Sequence, residues 1–171
     1  YLVPALAGDA RVVVATGTKN LQDQIYHRDL PTLSSIRGLD HRAVLMKGLS
    51  NYVCLRRLDR LTRKGRGLGT DAHLEPFLKW CTITDSGDVG EMTDVPEGYA
   101  QRLEVVSGSG LRLGSVCPFF SECFVTKMKR QAEKAKLVGT NHHLFFADLV
   151  IRGGGGGVLP DYDAVILDEA H

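Results

Sequence analysis

The sequence has little that would mark a membrane-spanning or exported chain. No apolar run approaches the ~20 residues needed to cross a bilayer. The opening Tyr1-Leu2-Val3-Pro4-Ala5-Leu6 has neither the basic region nor the long apolar core of a secretory leader. Both absences place the chain in the cytoplasm with no membrane partner. The formal net charge is only +1, so overall charge does not announce nucleic acid. Cysteine is sparse, with four in 171 residues. In a cytosolic chain that usage points to metal ligation or redox work before disulfides. No internal repeat is evident.

What is there is ordinary globular composition, 43% hydrophobic and 24% charged, at a length suited to one domain or one domain with an insert. Arg11 to Ala15 is a β-branched run without alternation, which predicts a strand covered on both faces. Thr16-Gly17-Thr18 turns into a predicted helix over 19–29, and Ala43 to Met46 is a further strand candidate. A different texture follows. Asn51 to Lys64 and Asp71 to Ile83 are predicted helices, separated by a loop at 65–69. Residues 85–98 form an acidic, turn-rich stretch, Ser107 to Gly110 is a flexible joint, and Phe119 to Lys136 is a long predicted helix. Strand-like texture returns at Leu137 to Thr140, with a helix after it. Gly153 to Gly157 is predicted to be a flexible surface loop, and Ala164 to Asp168 a second buried strand. The order sheet, insert, sheet predicts an α/β core interrupted by a small, mostly helical module.

Cations cluster. Arg56, Arg57, Arg60, Arg63, Lys64 and Arg66 stand against one acid, Asp59, and Lys127, Lys129, Arg130, Lys134 and Lys136 against Glu133. Such clusters suit phosphate contacts, although a solvated helix face has the same look.

Asp168-Glu169-Ala170-His171 follows directly on an apolar strand. In open α/β sheets, ligands bind beyond the carboxyl ends of the strands. A carboxylate there suits the Mg²⁺ that bridges the phosphates of ATP, which is the role expected of Asp168. Glu169 suits the orientation and deprotonation of a water. His171 suits sensing of the terminal phosphate. Acids at a helix start are also common for dipole reasons alone. No Gly-x-x-x-x-Gly-Lys-Ser/Thr loop occurs, and the glycine run at 153–157 lacks the lysine. ATP hydrolysis by these residues alone is therefore not expected.

Five segments together resemble the DinG branch of the DinG/XPD helicases of superfamily two. They are Tyr1 to Leu6; Val14-Ala15-Thr16-Gly17-Thr18-Lys19-Asn20-Leu21-Gln22-Asp23-Gln24; Lys47-Gly48-Leu49-Ser50-Asn51-Tyr52-Val53-Cys54; Cys117-Pro118-Phe119-Phe120-Ser121-Glu122-Cys123-Phe124; and Thr140-Asn141-His142-His143-Leu144-Phe145-Phe146-Ala147-Asp148-Leu149. With the Asp-Glu-Ala-His box they run in the family's order over nearly the whole chain. The resemblance implies a partial RecA-like parallel-sheet motor domain over 1–46 and 126–171, interrupted by an iron–sulfur module over 47–125. It implies an ATP-dependent helicase moving 5′ to 3′ on single-stranded or forked DNA, with roles in repair, and it puts Thr16, Thr18 and Gln22 near the DNA backbone; the charge clustering separately makes Arg56, Arg57 and Arg60 candidate phosphate contacts. It also implies a [4Fe–4S] cluster on Cys54, Cys117 and Cys123. Arg112 stands where the resemblance expects the remaining cysteine, and arginine cannot ligate. The fourth ligand is then absent, replaced by Cys81, or external, and the cluster is expected to be weakened or lost. Zinc is the lesser alternative, with His41, His73, His142 or His143 to complete three cysteines. Two other functions fit fewer of the residues: a non-enzymatic metal- and DNA-binding module, and a DEAH-type ATPase acting on RNA.

Overall fold

A computed structural model describes residues 1–37, 42–65, 71–96 and 98–169. The chain divides into two compact units, one formed by 1–47 with 128–171 and the other by 48–127.

The first unit is built on a four-stranded, all-parallel sheet: β1 (Val12–Thr16), β2 (Ala43–Leu45), β3 (Leu137–Asn141) and β4 (Ala164–Leu167), in the order β2-β3-β1-β4. This is the α/β class with a partial RecA-like sheet. β1 aligns Val12 with Leu137 and Ala164, and Thr16 with Asn141. Central position explains the sequence pattern, because every residue of β1 is buried and so are Leu137 to Thr140 of β3. Continuous apolar runs are what strands covered on both faces require. Val12, Val14 and Leu137 join Ala5 and Leu6 of α1 (Leu2–Ala7) in one core cluster, with Ile25 and Leu30 from the helical run after β1. Val13 and Ala15 point to the opposite face by alternation and are fully buried. The sheet also packs against α8 (His142–Gly153).

β4 departs from the expectation of a buried strand. Ala164 and Leu167 are exposed and the two residues between them half-buried. Among the described residues β4 pairs with β1 alone, which leaves its other side without a strand in this segment.

The helical run after β1 is α2 (Lys19–Gln24), a π-helical turn over Ile25–Asp29, and α3 (Leu30–Arg37). Thr18 starts it as N-cap, its hydroxyl accepting from the Leu21 N–H at 3.3 Å. The π turn carries Tyr26, whose hydroxyl accepts from the Gly139 N–H at 2.7 Å and donates to the Val44 carbonyl. A tyrosine is thus wedged into the sheet between β2 and β3. Gly139 makes that possible, because a Cβ there would lie 2.3 Å from the ring.

Residues 153–157 are not a free loop end. Asp148, fully buried on α8, accepts from the backbone N–H groups of Val158 at 2.6 Å and Leu159 at 2.9 Å. Its other oxygen accepts from Arg152 Nε at 2.6 Å, and Arg152 also donates to the carbonyls of Leu159 and Pro160 at 2.8 Å. The buried Asp148 and the half-buried Arg152 therefore close the return from α8 to β4.

The second unit holds α4 (Leu55–Gly65), α5 (Glu75–Cys81), α6 (Gln101–Val105) and the first turn of α7 (Phe124–Lys134), which continues into the other unit. α4 starts later than Asn51, because Tyr52 and Val53 are extended and bridge Asp88 and Val106. α7 likewise starts at Phe124, not Phe119. Ser107, expected in a flexible joint, is buried, and its N–H binds the Tyr52 carbonyl at 2.8 Å. Arg102 is the buried organiser, donating to the carbonyls of Val89 at 2.7 Å and Met92 at 3.2 Å, and to that of Val95. The guanidinium donors here bind three carbonyls of the irregular 89–95 stretch, of which that of Val89 also accepts from the Met92 N–H at 3.3 Å. Of the expected loop at 65–69, positions 66–69 lie outside the described residues.

Candidate active site

Three strands of the first unit end side by side. β1 runs into Gly17 and Thr18, β3 into His142, and β4 into Asp168 and Glu169. Parallel register makes this one edge, the carboxyl edge where α/β sheets place their ligands.

The Ala15 carbonyl ties the edge together. It accepts from the Asp168 N–H at 2.9 Å and lies 3.1 Å from His142 Nε2. Asp168 Oδ2 accepts from the Tyr1 hydroxyl at 2.7 Å, and Oδ1 from the Glu169 N–H at 3.1 Å. Burial and the neighbouring carboxylate both push the Tyr1 phenol well above its ordinary range, so Tyr1 is a donor here. Glu169 has φ 55°, a left-handed backbone that non-glycine residues adopt rarely. Its carboxylate approaches Gly17 so closely that a Cβ there would meet Oε2 at 3.0 Å. Two acids at one sheet edge, one of them held over a bare glycine, suit cation binding and proton abstraction. His171, expected to act with them, lies outside the described residues.

Two neighbours of these acids carry no local motif. Tyr1 is 167 residues from Asp168 and His142 is 127 from Ala15. The family resemblance of the segment at Thr140 to Leu149 was the signal for His142, and it identified the segment without identifying the contact.

The residues expected near DNA separate. Thr16 and Gln22 are each only 2% exposed, so neither side chain is presented to solvent. Thr18 is exposed, and its hydroxyl caps α2. Gln22 Nε2 and Thr140 Oγ1 are both buried without a partner among the described residues. In the second unit, Arg56 donates to the Leu111 carbonyl at 2.8 Å and Arg57 to the Val106 carbonyl at 2.8 Å. Arg60 is exposed. Arg56 and Arg57 thus brace their own unit.

The cysteines do not present a completed site. All four are free and half-buried. Among the described residues, no three His, Cys, Asp or Glu side chains gather into a group able to hold a metal ion. Burial pushes the Cys81 thiol up to about 11, which opposes the thiolate that ligation requires. Arg112 donates instead to the Thr126 hydroxyl at 3.4 Å. The residues present therefore do not fit a fully ligated cluster. His73, one of the histidines considered for zinc, faces the Tyr99 hydroxyl at 3.1 Å; His41 lies outside the described residues.

No helix of the described residues is long and apolar enough to cross a membrane. No family model matches the chain. Among curated proteins, the chain is 40% identical over 174 residues to ATP-dependent DNA helicase YoaA of Escherichia coli, a match covering all of this chain and 27% of that protein. It is 35% identical over 199 residues to ATP-dependent helicase DinG of Mycobacterium tuberculosis, again over the whole chain and 29% of the relative. A third relative, 3′-5′ exonuclease DinG of Bacillus subtilis, is 31% identical over 182 residues, covering all of this chain and 18% of its own length. By sequence the chain is similar, from its first residue to its last, to a segment of the DinG-type proteins and spans under a third of each of these relatives.

Proposed function

We propose that this segment forms part of the ATP-hydrolysing motor of a DNA helicase that moves 5′ to 3′ on single-stranded or forked DNA and serves DNA repair. The observation that carries the reading is the pair Asp168 and Glu169 at the carboxyl edge of an all-parallel sheet, with Glu169 set over Gly17. In this reading Asp168 helps hold Mg²⁺, and Glu169 accepts the proton of the attacking water. Mg²⁺ supplies charge neutralisation at the phosphates. His171 completes the box. The names of two relatives, an ATP-dependent DNA helicase and an ATP-dependent helicase, support the same assignment. The divisions 1–46, 47–125 and 126–171 are proposed as first motor part, insert and second motor part. Thr18 in the first unit and, separately, Arg60 in the second are the proposed DNA contacts, while Thr16 and Gln22 are buried within the first unit and Arg56 and Arg57 brace the second. No step is assigned to an iron–sulfur cluster, because the cysteine set does not fit one. The 171 residues alone are expected to be inactive, as they contain no phosphate loop motif.

The test is DNA-stimulated phosphate release by the full-length protein carrying this segment. Glu169→Gln should lower the rate at least about 100-fold, the range for removal of a general base. An unchanged rate refutes the assignment.

A further inference from the structure

We propose that His142 is a positioning residue of this site: it is a second acceptor, opposite Glu169, for the attacking water. The inference rests on the motor reading above.

The ring is fixed by its far nitrogen. Nε2 lies 3.1 Å from the Ala15 carbonyl oxygen, which can only accept, so Nε2 carries the hydrogen. In the neutral ring the lone pair is then on Nδ1. The same Ala15 oxygen accepts from the Asp168 N–H, so one carbonyl sets the heights of the imidazole and of the strand end that delivers Glu169. The edge of the ring that carries Cε1 and Nδ1 is turned toward Gly17. A point one Cβ length out from Gly17 lies 3.0 Å from Glu169 Oε2, 3.8 Å from His142 Cε1 and 4.0 Å from His142 Nδ1. The carboxylate and the Cε1–Nδ1 edge of the imidazole thus both approach the side of Gly17 that bears no side chain. Phe146 meets the His142 ring edge-on, with centroids 6.3 Å apart, and limits its tilt.

Two acceptors on that side of Gly17 orient a water by both hydrogens, which leaves an oxygen lone pair free to attack. The oxygen bonds to phosphorus, the bond to the leaving phosphate breaks, and one proton passes to Glu169. The other hydrogen stays on the new phosphate oxygen, and His142 exchanges no proton. Orientation of this kind acts on the turnover step and leaves nucleotide affinity alone.

The experiment uses the full-length protein with His142→Ala, His142→Asn and His142→Gln, and Glu169→Gln as reference. Asn places a carbonyl oxygen near the position of Nδ1. Gln reaches only the Ala15 contact. The expected result is a kcat reduced about tenfold in His142→Ala. KM for ATP and single-strand affinity should stay within twofold of wild type, with most of the rate restored in His142→Asn and not in His142→Gln. Restoration by Gln and not Asn, equal loss in Asn and Gln, or no loss in any of the three overturns the proposal. If His142→Ala does not fold, the Asn–Gln comparison decides alone. An unchanged rate in Glu169→Gln sinks the motor reading itself; a lost rate there with intact His142 variants sinks only this inference.

Discussion

Asp148→Ala should be among the most damaging single changes to the first unit. The carboxylate is fully buried and serves three donors: Arg152 Nε at 2.6 Å and the backbone N–H groups of Val158 at 2.6 Å and Leu159 at 2.9 Å. Removing one partner of a buried ion pair costs about 3–5 kcal/mol, because the other charge is left uncompensated. A buried N–H without an acceptor costs about 1–3 kcal/mol. These contributions overlap, and Arg152 keeps Asp161 at 2.9 Å as a second, exposed partner. Leu159 is buried and cannot turn to water, whereas Val158 is half-buried and can. A net loss of about 4 kcal/mol follows. At roughly 2–4 °C per kcal/mol for a chain of this size, the melting temperature should fall by about 8–16 °C. Thermal unfolding followed by circular dichroism reads it directly. Asp148→Asn keeps an acceptor for the two backbone groups and loses the charge, so its cost should be about half. A fall under about 2 °C for the alanine variant, or equal falls for both, would refute the account of this carboxylate as the closure of the α8–β4 return.

Other outcomes are as specific. Tyr26→Phe leaves the Gly139 N–H and the Val44 carbonyl without their bridge, and should cost about 2 kcal/mol in urea unfolding; no change in midpoint counts against the wedge. The Cys81 thiol, raised by burial to about 11 from an ordinary 9.0, should be about 100-fold less ionised than a free thiol at pH 8. Its alkylation, resolved by mass spectrometry, should accelerate about tenfold per pH unit up to about 11, and alkylation at free-thiol speed at pH 8 would contradict that. Arg60→Ala in the full-length protein should weaken single-strand binding similarly for all sequences and reduce the salt slope by about 1; an unchanged slope makes Arg60 a solvated cation.

The parts legible in sequence are those whose cause is local. Val12 to Thr16 and Leu137 to Thr140 are continuous apolar or β-branched runs because both faces are covered, and composition alone reports that. The box at Asp168 is legible because strand and acids adjoin. Ala164 to Leu167 has the composition of a strand covered on both faces, yet its ends are exposed in this segment, because what covers a strand is not written in its own residues. Tyr52 falls on a helical stripe with Leu55 and Leu58, but its bridge to Asp88 overrides the periodicity. Arg56 and Arg57 read as a phosphate-binding face, whereas carbonyls about 50 residues away take their donors. The approach of His142 and Glu169 to Gly17 depends on three chain segments meeting, and no window of sequence contains them.

The tyrosine between β2 and β3 makes positions 26 and 139 a single shared volume. They are separated by 113 residues, and each is intelligible only through the other. A side chain at 139 has room only where the residue at 26 has shrunk, and a phenol at 26 has a place only above a glycine. Among homologous chains the two sites should therefore change as a pair, in opposite directions of size, and an isolated enlargement at 139 should mark a chain whose β2 has moved away from β3.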